Sequence, residues 1–571
     1  MVIDSTTKWV IKDAEEKQIT QLQKQLKIHP VICKLLVQRG IYTFDQAKKF
    51  FRPSLRELHN PFLMQDMDIA IQRINNAIYY KEKILIYGDY DVDGTTAVAT
   101  VYSYFKKIYD DVHFYIPNRY KEGYGVSTIA IDWAKENDFS LIICLDCGIK
   151  AIDKIAYAKE IGIDFIIGDH HTPGEELPPA VAVLDPKRED CNYPFTELSG
   201  CGIGFKIVQA YNMFHRKDAS HVFDLLDLVV VSIASDIVPI VNENRVLAHY
   251  GLEKLNNNPS QGLKSIMELS GIKNTLSISD IVFVIGPRIN AAGRMDDATQ
   301  AVKLLVAIQN ERANDKAAIL QKHNTDRRVI DTDITQEAVD MIIENAEQLA
   351  KKTTVLYQPH WHKGVIGIVA SRLMQRFYRP TVILTLSNGK VTGSARSVNG
   401  FNVYEAIKEC DEYIEQFGGH MYAAGLTMEE KYVDAFIKKF EKVVGDTITD
   451  DQLIPEISID AEIRFKDINE KFFNIIQQIA PFGPHNMRPV FMAKNIFDTG
   501  YSSIVGENHL KLNAKQSDSF AIKGIGYGMA DKYDLIKEGQ AFDLCFTIEE
   551  NTYRGNSSLQ LNIKDLKPSE S

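Results

Sequence analysis

KILIYGDYDVDGTT, residues 83–96, decides how the chain is read. A short apolar run from Ile84 to Tyr87 ends at Gly88, and aspartates follow at alternate positions, Asp89, Asp91 and Asp93. Gly94, Thr95 and Thr96 come next, and a helical pattern runs from Ala97 to Tyr109. A buried strand ending in carboxylates, a glycine that lets the chain turn and a threonine able to cap a helix make a strand–turn–helix unit. Alternate residues of an extended segment point the same way, so Asp89 and Asp91 can converge on one point. Carboxylates packed that closely repel unless a cation sits between them, and oxygen donors favour a hard divalent ion. Aspartate and glycine are also ordinary turn residues, and an aspartate before a helix often serves only as its cap.

The same pattern recurs downstream. Apolar runs at 112–116, 141–145, 164–167 and 181–184 alternate with helical stretches, the signature of a parallel α/β sheet covered on both faces. Ligands of such sheets bind beyond the carboxyl ends of the strands. Three runs end in an acid at that edge, Asp89, Asp146 and Asp169, and the last continues into His170 and His171. A glycine-rich turn, Gly200 to Lys206, opens a helix, and Val222–Val241 reads as a long buried helix ending at ASDIVP, 234–239. Asp236 in so apolar a run needs a partner, either a metal or a backbone amide. GPRINAAGRMD, 286–296, sets Arg288 and Arg294 among small residues, a shape suited to gripping phosphate.

With 571 residues, several domains are expected. Hydrophobic content of 45% and charged content of 25% are those of an ordinary soluble protein. The charge of -11 argues against coating nucleic acid through bulk charge but leaves room for a local basic groove. Residues 1–30 carry charges throughout and lack the apolar segment of a signal peptide. Val222–Val241 contains Asp224, Asp227 and Asp236, which makes it a poor membrane span. The seven cysteines are scattered, with one close pair, Cys144 and Cys147, and they read as reduced thiols in a cytoplasmic protein.

The expected organisation is a helical region over 1–80, a parallel-sheet catalytic domain over 81–310, a rigid charged connecting helix over 311–352, and a second α/β domain over 353–450. A C-terminal antiparallel β-barrel over 455–571 follows, where apolar residues alternate with period two in ISIDAEI, HLKLNAK, FDLCFTIEE and SLQLNIKDL. In the second α/β domain, GSARS (393–397) reads as a small-residue turn leading to Arg396, and Gly418-Gly419-His420 precedes AAG at 423–425. Both could offer amides and cations to phosphate.

The constellation DYDVDG (89–94), Asp146, GDHH (168–171) and ASDIVP (234–239) resembles the DHH phosphoesterase superfamily. From about residue 10 to 567 the chain is similar to its RecJ family of bacterial single-strand-specific 5′→3′ DNA exonucleases. The later matches are GPRINAAGRM, WHKGVIGIVASRL (361–373), GSARS, GGHMYAAG and PFGPHNMRPVF (481–491). His485 and Met487 depart from the family pattern in the last of these. The resemblance implies a DHH domain, a DHHA1-type domain and an OB-fold. It implies two Mn²⁺ or Mg²⁺ ions held by Asp89, Asp91, Asp146, His170 and Asp236, with Asp93 and His171 beside them as catalytic residues. Arg119, Tyr124, Arg288, Asn290, Arg294, Ser394, Arg396, Gly419 and His420 are the candidates for binding the strand. The substrate implied is single-stranded DNA, degraded processively to nucleoside 5′-monophosphates in repair and recombination. Single-strand-binding protein and a RecQ-like helicase are the implied partners, and the chain is expected to be a monomer free of membrane.

Three other readings stand beside this one. DVDGTT also fits the haloacid-dehalogenase phosphatases, whose first aspartate is a nucleophile, but that leaves Asp146 and the Asp169-His170-His171 run unexplained. A DHH enzyme acting on short oligonucleotides or cyclic dinucleotides is usually shorter and lacks the terminal barrel. A non-catalytic relative would have lost motif carboxylates that this sequence keeps.

Overall fold

The computed structural model describes residues 7–272, 274–537, 539–553 and 556–569, so the outermost residues of the regions 1–80 and 455–571 lie outside the described residues. The chain forms two compact units, Ile11–Gln321 with Ile459–Ser571, and Met1–Val10 with Lys322–Ser458.

In the first unit the expected strands form one sheet: β1 (Lys83–Gly88), β2 (Val112–Tyr115), β3 (Phe139–Leu145), β4 (Asp164–Gly168) and β5 (Ala182–Leu184). All neighbours are parallel and the spatial order is β2-β1-β3-β4-β5. Strand alternation divides the core. Ile84, Ile86, Leu141, Ile143 and Ile166 pack on one face, while Leu85, Tyr87, Ile142, Cys144 and Phe165 pack on the other. Both faces are covered, which is why these runs are continuously apolar. The strand order reverses direction between β1 and β3, the switch point where such sheets open a crevice for ligands.

Helix α1 (Val92–Phe105) starts earlier than the apolar pattern indicates. Its cap is Asp91, whose side chain accepts from Gly94 N at 3.0 Å, and the threonines instead bond back to the Asp91 and Val92 carbonyls. Gly94 is required by space: a Cβ there would lie 2.4 Å from the Asp89 carbonyl oxygen. The glycine-rich turn opens α2 (Gly200–Phe214) as expected. Val222–Val241 is not one helix. It breaks at Asp224-Leu225 into Ser220–Phe223 and α3 (Leu226–Ser235), and an irregular stretch leads to α4 (Asn242–Asn257). GPRINAAGRM forms α5 (Gly286–Met295).

Residues 1–80 do not act as a single region. Ile19, Leu22, Ile32 and Leu36, from the first two helices, share a core with Phe465, Phe491 and Phe546 of the C-terminal domain. Met67–Tyr79 instead packs in the catalytic core through Ile71 and Ile74. In the barrel, Phe491–Asp498, Phe542–Tyr553, Asn556–Pro568, Ile522–Gly526 and His509–Lys515 pair in sequence, and the last pairs back to the first. That is a closed five-stranded ring, with Ala461–Glu462 and Ser503–Val505 added at its margins. Part of the expected first strand lies elsewhere: Glu456–Ile459 pairs with Lys8–Ile11.

The connecting helix α6 spans Asn310–Ile343 and stops short of residue 352. Asn345 is extended and its side chain caps a separate short helix, Ala346–Ala350. The second unit holds a sheet of β6 (Thr354–Tyr357), β7 (Thr381–Ser387), β8 (Lys390–Arg396), β9 (Gln416–His420) and β10 (Ala423–Met428), in the order β9-β10-β8-β7-β6. GSARS is therefore no turn. It lies in β8, an interior strand whose backbone groups are used by ladders on both sides.

Candidate metal centre

Asp89 follows β1, Asp146 follows β3 and Asp169 follows β4, so the sheet brings all three to one edge at its switch point. Asp146 has φ of +61°, a left-handed turn that lifts its side chain over the edge while its amide donates to Gly168 O at 2.9 Å. Gly200 allows the close approach of α2, since a Cβ there would meet the Asp146 Cβ at 2.5 Å. Asp236, the C-cap of α3, arrives from the helical side.

His170 is the hub. Its Nε2 lies 3.1 Å from Asp146 Oδ1 and 3.6 Å from both Asp93 Oδ2 and Asp236 Oδ2. Asp93, His170 and Asp236 form one group with ligand atoms mutually within 4.8 Å, and Asp146, His170 and His171 form a second. Cis ligands around an ion with bonds of about 2.1 Å lie about 3 Å apart, which these spacings approach. Asp89 and Asp91 are in neither group but share the edge. Asp89 Oδ2 is buried with no hydrogen-bond partner, an orphan that suits a cation.

The electrostatics agree. Burial first, and repulsion from Asp91 second, pushes Asp89 well above the usual carboxylate range. Burial, with Asp93, Asp91 and Asp236 behind it, does the same to Asp146. Burial and then Asp93 raise Asp91, while Asp236 is pushed up to about 9 by burial and the charges of Asp93 and Asp91. Burial lowers His170, leaving a neutral imidazole able to donate its lone pair. A set of acids that cannot all ionise alone, facing a neutral histidine, fits divalent cations.

Asp93, while grouped with His170 and Asp236, also bonds to the segments beneath the site. Its Oδ2 accepts from Gly200 N at 2.7 Å, and its Oδ1 accepts from Cys201 N at 2.8 Å and Ser232 Oγ at 2.7 Å. The glycine-rich turn thus spends its first amides on Asp93, pinning α2 and α3 beneath the site. Asp169 also orients its neighbours. It accepts from His171 Nδ1 at 2.7 Å and from the Ile149, His170 and His171 amides. Burial opposes its charge, but those bonds hold Asp169 below the usual range. Burial likewise opposes a charged His171, and the bond to Asp169 outweighs it and raises the imidazole.

Tyr124 stands between the left-handed glycines Gly123 and Gly125, and its hydroxyl lies 3.2 Å from His171 Nε2. The Arg119 guanidinium lies over the Tyr90 ring at 5.0 Å, and Tyr90 packs edge-on to Tyr124 at 6.2 Å. The Tyr120 hydroxyl donates to the Arg294 carbonyl. Arg288 is engaged internally, with Gln321 Oε1 at 2.8 Å and Val284 O at 2.6 Å. Asn290 lies on α5 between the two arginines. Sequence reasoning missed Tyr90, Ser232 and the orienting role of Asp169; Tyr90 shows only through its contacts with Arg119 and Tyr124 on another segment.

In the second unit the other candidates gather on one sheet. His420, Ala423 and Arg396 lie in register across β9, β10 and β8, and Gly418, Gly425 and Ser394 form the next row but one. Arg396 donates to Ser371 Oγ and Ser394 Oγ, each at 3.1 Å. Gly419 has φ of +146°, and a Cβ there would meet the Ala423 carbonyl oxygen at 2.4 Å.

Fold and site together define a DHH-type phosphoesterase domain, followed by a DHHA1 domain and an OB barrel. The family models agree: the DHH family N-terminal domain matches residues 83–233, the DHHA1 domain 350–446 and the RecJ OB domain 459–565. The single-stranded-DNA-specific exonuclease RecJ of Bacillus subtilis is 35% identical over 573 residues, covering 100% of this chain and 72% of the relative. That of Salmonella typhimurium is 30% identical, covering 94% and 96%. Thermus thermophilus RecJ in complex with Mn²⁺ shares the fold with a TM-score of 0.85 at 24% identity, over 99% of this chain and 80% of that one. The chain belongs to the RecJ family.

Proposed function

We propose that the chain hydrolyses phosphodiester bonds of single-stranded DNA as a divalent-cation-dependent exonuclease. The observation carrying this reading is His170 Nε2 set among Asp93, Asp146 and Asp236 at 3.1–3.6 Å on the switch-point edge. Relatives over the full chain length are named single-stranded-DNA-specific exonucleases, and relatives of this fold have been crystallised with Mn²⁺ and with Mg²⁺. Asp89, Asp91, Asp146, His170 and Asp236 would hold two Mn²⁺ or Mg²⁺ ions, whose chemistry is to lower the pKa of water and neutralise charge on the phosphate.

The chain's own residues do the rest. Asp93 fixes the edge by holding the first amides of α2, and Asp169, accepting from His171 Nδ1, favours the imidazolium, which carries its second proton on Nε2. His171 Nε2, beside the Tyr124 hydroxyl, is then placed to steady a phosphate oxygen or supply a proton to the leaving group. Tyr90 and Tyr124 offer faces on which bases stack, worth about 1–3 kcal/mol each, and Arg119 offers a cation to the backbone. Arg294 is proposed as a further contact of the first unit with DNA, and Ser394, Arg396, Gly419 and His420 are proposed as DNA contacts on the sheet of the second unit.

Digestion is proposed to run 5′→3′ and to release nucleoside 5′-monophosphates. The protein is proposed to act as a monomer in the cytoplasm, with single-strand-binding protein and a RecQ-like helicase as partners. Seven free cysteines support a reducing compartment, Cys144 and Cys147 among them with sulfurs 3.4 Å apart and unbridged. Among the described residues no helix is long and apolar enough to cross a membrane. The test is digestion of a single strand labelled at either end, with a duplex and a dinucleotide in parallel, with and without Mn²⁺. Mononucleotides appearing first from the 5′ label, only with Mn²⁺ and only from the long single strand, are expected. Preference for the dinucleotide, or cleavage in EDTA, would overturn the proposal.

A further inference from the structure

The loop that carries Asp236 is not supported by the catalytic domain alone. Between α3 and α4 it runs Asp236-Ile-Val-Pro-Ile-Val241, with Ile237 at φ of +60° and Ile240 fully buried. Asn244, in the first turn of α4, donates to Pro239 O at 3.0 Å and to Glu197 O at 2.5 Å, tying the loop to the segment that leads into Gly200. Val238 and Ile240 pack in the catalytic core, and further support comes from the chain leading into the barrel, PFGPHN at 481–486.

That contact is closely fitted. Ile240 N donates to Pro484 O at 2.8 Å. A Cβ on Gly483 would lie 2.6 Å from Ile240 Cγ1, so no side chain fits there without moving the isoleucine. Asn486 closes the turn, donating to Ile479 O at 2.9 Å and Pro481 O at 2.7 Å, and accepts from Arg39 Nε at 2.8 Å. Arg245, on α4, buries its guanidinium against the same turn. It donates to Ile479 O at 2.8 Å and Ala480 O at 3.0 Å, and twice to Phe50 O. Arginine buried against carbonyls is a costly arrangement, and four N–H···O bonds hold this guanidinium in one position.

We infer that the barrel's lead-in, through Gly483 and Pro484 against Ile240, is a positioning element for the metal ligand Asp236, so that the C-terminal domain takes part in building the metal centre as well as in binding DNA. Asp236 lies four residues from Ile240 in a short loop whose other anchor is the C-terminus of α3. A displacement of Ile240 therefore has few residues over which to relax before it reaches the carboxylate. Supports one step removed from a metal commonly change its affinity by about 10–100-fold. The inference rests on Asp236 being a ligand, and the experiment separates the two claims.

Mn²⁺ binding to the full chain is titrated by electron paramagnetic resonance of the free ion for the parent, Gly483→Ala and Asp236→Asn, with single-strand binding measured in EDTA alongside. Gly483→Ala is expected to weaken one of two Mn²⁺ ions about tenfold while changing single-strand affinity in EDTA less than twofold. Ile240→Ala added to Gly483→Ala makes room for the new methyl and is expected to recover part of the loss. If Asp236→Asn leaves the Mn²⁺ isotherm unchanged, the ligand assignment falls. If Asp236→Asn weakens binding and folded Gly483→Ala does not, the positioning role alone is overturned. Should Gly483→Ala fail to fold, Ile240→Val, which thins the contact from the other side, gives the same comparison; an unchanged isotherm there overturns the inference.

Discussion

Gly200→Ala asks the site to accommodate a single methyl group. The new Cβ would lie 2.5 Å from Asp146 Cβ, 2.7 Å from its Oδ1 and 2.8 Å from its Cγ. Carbon atoms in contact rest at about 3.5–4.0 Å, so roughly 1 Å must open. Neither backbone yields easily. Gly200 N is held by Asp93 Oδ2 at 2.7 Å, and Asp146 N is held by Gly168 O at 2.9 Å in a left-handed turn. The Asp146 Cβ is set by its backbone, so one of the two backbones must shift, and the Asp146 carboxylate, which contacts His170 at 3.1 Å, shifts with it. A misplacement of about 1 Å at a reacting site costs on the order of 10²-fold in rate, about 2.7 kcal/mol of barrier. Overpacking costs about 1–3 kcal/mol of stability, offset in part by up to about 1 kcal/mol from replacing a helical glycine with alanine. The variant is thus expected to fold, with a Tm in EDTA within a few degrees of the parent, while kcat/KM for single-stranded DNA in Mn²⁺ drops about a hundredfold. A folded Gly200→Ala enzyme within threefold of the parental kcat/KM would refute the placement of Asp146 in the metal shell.

Three further outcomes follow from the geometry. Asp91 is at once a candidate ligand and the cap of α1, so Asp91→Asn keeps the capping bond and Asp91→Ala loses it, at about 1 kcal/mol. Both variants should lose Mn²⁺-dependent digestion and keep single-strand binding, and only the alanine should lower Tm in EDTA; digestion at the parental rate by Asp91→Asn would remove Asp91 from the shell. In EDTA the folded chain keeps a proton on Asp236 up to about pH 9, because of burial and then Asp93 and Asp91, whereas the unfolded chain releases it near about 3.9. The unfolded state binds fewer protons between those values, so the metal-free Tm should fall as pH rises through that window, and saturating Mn²⁺ should flatten the slope. Calorimetry showing a level metal-free Tm from about pH 5 to about pH 9 would contradict the crowding of these acids. The Lys206–Glu243 pair is fully buried at 2.6 Å, with the Tyr193 hydroxyl 2.6 Å and the His59 amide 2.7 Å from the same carboxylate. Lys206→Met strands that charge and should cost about 3–5 kcal/mol by denaturant titration, most of it regained in Lys206→Met with Glu243→Gln; a loss under about 1 kcal/mol would refute it.

The catalytic edge was legible because every clue to it is local. A strand with both faces buried reads as an unbroken apolar run, and an acid just after it has one place to go, the carboxyl edge. Asp89, Asp146 and the Asp169-His170-His171 run could therefore be placed without knowing the strand order, and the order β2-β1-β3-β4-β5 then sets Asp89 and Asp146 on either side of the switch point. What escaped was the set of contacts between segments distant in sequence. Nothing in DVDG tells that Asp93 will bond the amides of residues 200 and 201, more than a hundred positions on. GSARS looked like a turn because small residues and glycine mark turns. The same smallness serves an interior strand here, where a Cβ on Gly393 would meet Leu384 Cδ2 at 2.6 Å. The first two helices carry an ordinary amphipathic pattern that names no partner, and their partner proves to be the barrel at the other end of the chain. Periodicity gives the face an element buries, whereas the identity of what covers that face is set by shape. The stretch PFGPHN is the sharpest instance, since its fit against Ile240 depends on the absence of one methyl group at Gly483.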